Sequence, residues 1–338
     1  MTKIAILGAG SWGTALSVVL SAARRPHEIS LWVHNEALAE TMRRDRENSA
    51  YLPQIAIPAA VGITHDFSVA LNGAHIVVGA MPSVHARSIY MRAAHWFGRE
   101  AIFVSATKGL EPVTHLRMSH VLAQAISKVT SGEIGKHITV LSGPSFAAEA
   151  ARGEPTAVVL ASQDAAVAAE LQEEFAGPSF RLYTNDDVLG VELSGAMKNV
   201  MAIAAGVCQG LGLGSNPLAA LITRGLAEMT RLAVALGARP ETLSGLAGLG
   251  DLVLTCTGSL SRNRYVGMEL GKGRPLQEIL TNMRMVAEGV HTAEPLLALA
   301  REHKIEMPIT EQVDTILHQG KSPKDAIRDI MDRPLKRE

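Results

Sequence analysis

Up to about residue 185, apolar residues follow two alternating patterns: short unbroken runs, and longer stretches where they return every three or four positions. The runs Lys3–Leu7, Glu28–Val33, His75–Ala80, Ala101–Ala106, Ile138–Leu141, Thr156–Ala161 and Phe180–Tyr183 read as strands, with a weaker one at Ile63–His65. The stretches Ser11–Ala23, Glu36–Glu47, Val84–Phe97, Val113–Val129 and Ala165–Phe175 read as amphipathic helices. Such alternation predicts an α/β, doubly wound, mainly parallel sheet with crossover helices. Beyond Asn185 the strand signal disappears. Leu189–Gln209, Asn216–Leu236, Arg262–Leu270, Pro275–Leu280, Thr292–His303 and Thr310–His318 are all helical in period, with "GLGLGSNP" (210–217) and "GLAGLGDL" (245–252) as breakers. The pattern therefore predicts two domains, 1–187 and an all-helical 188–338, with the active site in the cleft between them.

The first strand runs straight into Gly8, Gly10 and Gly13, the full G-x-G-x-x-G spacing. In a dinucleotide site the first glycine makes the tight turn and the second lets backbone approach the diphosphate. The third lets the helix pack closely on the strand, and the helix N–H groups face the anion. A ligand-free glycine turn would share this spacing, but a strand before and a helix after favour the nucleotide. Residues 1–187 thus read as a dinucleotide-binding domain.

At 338 residues the chain has room for two domains, and 47% apolar against 19% charged residues suits a well-buried globular protein. The net charge of −1 offers no basic field, so no nucleic-acid partner is expected and any anion must be caught by a local cluster. Two cysteines, Cys208 and Cys256, make no disulfide framework and read as small buried apolar residues. Neither C-x-x-C nor H-E-x-x-H occurs, so no metal and a reduced, cytoplasmic protein are expected. The glycine motif interrupts the apolar N-terminus, which argues against a signal peptide. Glu192, Lys198, Asn199 and Gln209 interrupt the apolar stretch 189–213, which argues against a membrane span.

Four later segments carry candidate chemistry. "SATKGLE" (105–111) puts Lys108 just past a strand's carboxyl end, where ligands bind in open α/β sheets, although a single loop lysine is more often simply solvated. "SGPSFAAEA" (142–150) offers Ser145 as an N-cap before a short helix whose N–H groups can hold an oxyanion. In "VELSGAMKNVMAIAAGV" (191–207), Gly195, Ala196, Ala202, Ala204 and Ala205 permit close approach of a neighbour. Lys198 interrupts this apolar helix, where it either snorkels to water or is held by partners. Held near apolar surface, its pKa falls toward neutrality, as suits a general acid or base; Asn199 is assigned to orienting a neighbouring group. "GLGDLVLTCTGSLSRNRYVGMEL" (248–270) places Asp251 in a glycine-rich turn, then opens a helix with Ser261, Arg262 and Asn263. A helix N-terminus with an arginine is a phosphate socket; the plainer alternative is a surface helix capped by Ser261.

GAGSWGTAL, ATKGLE, SGPSFA-x-E, GAMKNV-x-AI, ITRGLAEM, GLGDL-x-LTC and SRNR occur in this order, and "EMPITEQV" (306–313) follows. As a set they resemble the NAD(P)-dependent glycerol-3-phosphate dehydrogenases of bacterial type. The resemblance implies a Rossmann-like first domain and interconversion of dihydroxyacetone phosphate and sn-glycerol 3-phosphate, a phospholipid precursor. It makes Lys198 the proton donor and acceptor, with Lys108 and Asp251 beside it. Gly143, Ser145, Ser261, Arg262 and Asn263 match substrate contacts. Ser11, Trp12, Ala147, Val286 and Glu288, with His34 and Tyr51, match cofactor contacts, and Lys108 and Arg262 serve both ligands. It also implies a homodimer. A hydroxyacid or 2-ketoacid reductase and a non-catalytic NAD(P)H sensor are the rival readings.

Cofactor choice rests on "LWVHNE" (31–36). An NAD site usually carries Asp or Glu at the end of the second strand, about 20 residues past the glycine motif. That strand end offers His34 and Asn35, and Glu36 arrives where the helix begins. Arg43, Arg44 and Arg46 follow, with one placed to reach a 2′-phosphate, so NADPH is expected to serve at least as well as NADH.

Overall fold

The computed structural model describes residues 1–127, 137–335 and 337. Ten strands occur among them: β1 (Thr2–Leu7), β2 (His27–Trp32), β3 (Glu47–Asn48), β4 (Leu52–Ala56), β5 (Val61–Thr64), β6 (Ile76–Gly79), β7 (Ile102–Ser105), β8 (Ile138–Ser142), β9 (Thr156–Ala161) and β10 (Phe180–Asn185). Eight form one sheet in the order β10-β9-β8-β7-β6-β1-β2-β5, and β3 and β4 form a separate antiparallel ribbon. Every neighbouring pair in the large sheet is parallel except β8 and β9. Strand order reverses at β1, which pairs with β2 on one side and β6 on the other. An open α/β sheet binds ligands in the crevice beyond the strand ends at such a reversal.

Alternation along β1 explains the double layer. Ile4 and Ile6 pack into one hydrophobic cluster, whereas Ala5 and Leu7 pack into another on the opposite face. A strand covered on both faces reads as a continuous apolar run, as Lys3–Leu7 does. The weak strand signal at Ile63–His65 is the edge strand β5, hydrogen-bonded on one side only, to β2.

Several expected boundaries move. The helix expected at Val113–Val129 begins at Met118 and is described to Ser127, because residues 110–117 form a folded loop closed by a bridge between Leu110 and Arg117. Lys128 and Val129 lie outside the described residues. The helix expected from Thr292 begins at Glu288, which puts that carboxylate in its first turn. Asp251 stands at the start of a helix, Asp251–Thr257, entered through one wide π-helical turn over Leu246–Gly250.

The helical part is built around Val188–Gly210, buried along most of its length. By length and apolarity this helix could cross a bilayer, yet 83% of its most apolar window is buried within the fold. The helix Arg262–Gly271 crosses it with backbones in contact. A Cβ on Gly206 would stand 2.0 Å from the Arg264 carbonyl oxygen, and one on Gly267 would stand 1.9 Å from that of Ile203. Only glycines permit this approach, which holds the Arg262 end of one helix against the lysine-bearing helix.

Candidate active site

The glycine turn follows β1 at the point where strand order reverses. Gly8 takes φ +111°, a conformation that L side chains rarely adopt, and a Cβ on Gly13 would lie 1.8 Å from the Gly8 carbonyl. At Gly10 a Cβ would meet nothing within 4 Å, so its lack of a side chain leaves open space over the turn. Asn48 holds the turn from beneath, its amide donating to the Ala9 carbonyl and to Thr14 Oγ1, each at 2.8 Å. Helix Ser11–Ser21 has no side-chain cap on its first N–H groups. Ser11 Oγ donates to the Tyr51 carbonyl at 2.6 Å and lies 3.0 Å from Met285 Sδ. The segment containing Val286 thus reaches from the helical part to the glycine turn. Ala147 packs beside Trp12 in a small apolar cluster.

Across the crevice, Asp251 is buried with 1% of its surface exposed and grips two lysines. Its Oδ1 accepts from Lys198 Nζ and its Oδ2 from Lys108 Nζ, both at 2.7 Å. Lys198 also donates to Thr255 Oγ1 at 2.8 Å, and Lys108 to the Gly143 carbonyl at 2.8 Å. The Thr255 hydroxyl gives its proton to the Asp251 carbonyl at 2.6 Å, so its lone pairs face Lys198. An ammonium has three N–H groups. Two are used on each lysine, leaving one apiece for a further acceptor.

This cluster carries a net positive charge in a poorly solvated place. Burial is the largest influence on Lys198 and, with the adjacent Lys108 charge, lowers its pKa to about 8 against the opposing pull of Asp251. For Asp251, burial alone would raise the pKa, but Lys108 and Lys198 together hold it below the ordinary carboxylate value. Burial pushes the Cys256 thiol up to about 12, and Cys208 is half-buried, so neither is a ready thiolate.

A third group enters from the helix Arg262–Gly271. Ser261 caps it, accepting from the Arg264 N–H at 3.2 Å. Asn263 donates to Asn199 Oδ1 and accepts from the Gly289 N–H, each at 2.9 Å, and Asn199 donates to the Lys108 carbonyl at 3.3 Å. Asn263 and Asn199 thereby tie three helices to the Lys108 loop. Arg262, next to Asn263, is exposed and has no hydrogen bond or ion pair among the described residues. Enough protein surrounds it that burial lowers its pKa, with Glu288 opposing, as expected of a cation at a cleft mouth.

The profile described as NAD-dependent glycerol-3-phosphate dehydrogenase N-terminus matches residues 3–168, and its C-terminus counterpart matches residues 187–328. The chain belongs to this family. A glycerol-3-phosphate dehydrogenase [NAD(P)+] from Koribacter versatilis is 53% identical over 335 residues, 99% of this chain and 98% of that protein. A crystal structure of glycerol-3-phosphate dehydrogenase from Coxiella burnetii matches with TM-score 0.91 and 41% identity, over 98% of this chain and 99% of that one. A D-mandelate dehydrogenase shares the fold alone, at TM-score 0.62 and 11% identity over 96% of this chain.

The crevice fits a dinucleotide on its own terms: open space over Gly10, an uncapped helix start, and a buried Trp12 Nε1 with no partner among the described residues. On the substrate side, Ser142 Oγ is also buried and unpartnered, 2.8 Å from where a Cβ on Gly195 would stand. The Ser145 N-cap does not form. Phe146 takes the cap position of helix Ala147–Ala151, which begins one residue later than a Ser145 cap requires, and Ser145 Oγ donates to the Gly143 carbonyl at 2.9 Å. Glu288 accepts from the Ser83 N–H at 2.9 Å and from its hydroxyl, reaching across to the start of the helix after β6. His34 lies exposed just past β2, its ring 5.9 Å from Trp32. Of the three candidate arginines, Arg46 donates to the Ile57, Pro58 and Val61 carbonyls, whereas Arg43 and Arg44 are both exposed, Arg44 pairing with its neighbour Asp45. Sequence reasoning missed Thr255 and Asn48. Thr255 is one turn beyond Asp251 and so was findable, whereas nothing local marks Asn48.

Proposed function

We infer that this chain interconverts dihydroxyacetone phosphate and sn-glycerol 3-phosphate with NAD(P)H, as an sn-glycerol-3-phosphate dehydrogenase. The observation that carries the reading is the pair of lysines clamped on Asp251, each with one N–H to spare, facing a dinucleotide crevice. The cofactor would be held by the Gly8–Gly13 turn, Ser11, Trp12, Tyr51, Ala147, Val286 and Glu288, and its nicotinamide supplies the hydride. Lys198, protonated at neutral pH with its pKa near 8, presents a proton to the C2 oxygen. Lys108 directs its remaining N–H to the same oxygen and stabilises the growing alkoxide charge. Asp251 keeps both ammoniums in place, and its single negative charge leaves the pair net positive. Arg262 takes the phosphate, and that remote binding energy serves orientation.

The nucleotide part, 1–187, and the helical part, 188–338, each supply half of this site. NADPH serves at least as well as NADH, and the protein works in the cytoplasm as a homodimer supplying glycerol 3-phosphate for phospholipid synthesis. The test compares dihydroxyacetone phosphate with dihydroxyacetone in wild type and Arg262→Ala. Losing a charge-assisted phosphate contact costs about 1.5–3 kcal/mol, so Arg262→Ala should weaken the phosphorylated substrate by that amount and spare the phosphate-free one. Equal losses on both would remove Arg262 from the phosphate.

A further inference from the structure

Glu192 lies on the helix Val188–Gly210, six residues before Lys198, and is 8% exposed. Its Oε1 accepts from the Ser119 backbone N–H at 2.8 Å. Its Oε2 accepts from Ser119 Oγ at 2.6 Å and from Arg117 Nη1 at 2.5 Å. The carboxylate therefore sits on the first turn of helix Met118–Ser127, where the helix dipole favours an anion. The segment that leads into this helix is the one that carries Lys108.

That segment is a closed loop. Leu110 bridges Arg117, the Glu111 N–H donates to the Leu116 carbonyl, and Glu111 accepts from Arg87 Nε at 2.8 Å and Nη2 at 2.7 Å. Besides the Lys108–Asp251 ion pair and the packing of Leu110 in the helical core, two hydrogen-bonded attachments, one near each end of the segment, come from the lysine-bearing helix. Asn199 holds the Lys108 carbonyl, and Glu192 holds Arg117 and Ser119 at the far end of the loop. The helix that presents Lys198 thus also holds the loop that presents Lys108.

We propose that Glu192 is a positioning residue that registers the Lys108 loop on the Lys198 helix, so that both lysines meet on Asp251. Glu192 touches neither reacting group and acts through Arg117, Ser119 and the Leu110–Arg117 bridge. The proposal deepens the dehydrogenase reading and rests on it; wild-type turnover, measured in the same series, tests that reading by itself.

The experiment is a double-mutant cycle between Glu192→Gln and Lys108→Met, read by kcat, KM and pH profile in dihydroxyacetone phosphate reduction. A small misplacement of a reacting group costs up to about 100-fold, so Glu192→Gln alone should lower kcat by roughly 10- to 100-fold while leaving NADPH affinity unchanged. Added to Lys108→Met, it should lower kcat little further, because its route of action is already gone. The pH profile is the readout that plain destabilisation would not move. Lys198 is faced by Asp251, Lys108 and Cys256, and of these Lys108 pushes its pKa down. Letting Lys108 swing away should shift the alkaline limb of the reduction profile to higher pH. Additive losses, or an unmoved limb in an enzyme of lowered kcat, would overturn the proposal. Should Glu192→Gln fail to fold, Arg117→Lys enters the same cycle with the same expected non-additivity.

Discussion

At the scale of single residues, the site turns on a lysine whose proton is held less tightly than in water. Burial brings Lys198 to about 8, and the direction of reaction decides which form works. Reduction needs the ammonium as proton donor, so its kcat should be level below pH 8 and fall above. Oxidation of glycerol 3-phosphate needs the free amine, so its kcat should rise through the same pH. Profiles of both directions that fall together would take Lys198 out of the proton transfer. Lys198→Ala should lower kcat by about 100-fold or more, as for loss of a general acid, with NADPH affinity by fluorescence titration nearly intact. The variant should fold, because Asp251 keeps Lys108 as its partner. A loss under about tenfold would mean that the proton comes from elsewhere. The bare identities of Lys108, Lys198 and Asp251 stand out in the sequence, because a charge inside an apolar or glycine-rich run is conspicuous. Their joint grip does not stand out, since 143 positions separate Lys108 from Asp251 and 53 separate Lys198 from it.

At the scale of elements, the crossing of Val188–Gly210 and Arg262–Gly271 sets where the phosphate-side arginine stands. Small residues in the first helix mark it in the sequence as a surface for close approach. The structure puts the tightest contact at Gly206 and Gly210 against Gly267 and Gly271, past the alanines. Gly267→Ala tests that contact. In an ordinary helix interior the change stabilises by about 1 kcal/mol. Here the new methyl would meet the Ile203 carbonyl at 1.9 Å, and backbone cannot give way as a side chain can. Overpacking at the upper end of its usual range of about 1–3 kcal/mol should therefore win, with a net destabilisation of about 1–2 kcal/mol by urea titration. An unchanged or raised midpoint would mean that the helices part freely. Asn199 and Asn263, hydrogen-bonded across the same crossing, should carry that shift to the Lys108 carbonyl, so KM for dihydroxyacetone phosphate should rise as well.

At the scale of the whole molecule, cofactor choice depends on what surrounds the end of β2. Asn35 is committed as the cap of helix Glu36–Asp45, and Glu36 lies 3.3 Å from His65. His34 and Arg43 remain exposed there. The kcat/KM with NADPH should at least equal that with NADH, and Arg43→Ala should lower the NADPH value alone; a tenfold preference for NADH would reassign Glu36 to the ribose. The sequence by itself determined the alternation of strands and helices, the glycine turn, the shift to an all-helical half and the identity of the charged residues. These are local matters: side-chain period follows backbone geometry, and a turn needs its own glycines. Tertiary structure alone decided that β9 runs antiparallel to β8 and that Arg46 is spent on the Ile57, Pro58 and Val61 carbonyls. It alone brought Asn48 and Glu192 into service. Each of these depends on which distant group completes a hydrogen bond or ion pair, and short-range periodicity carries no record of that partner.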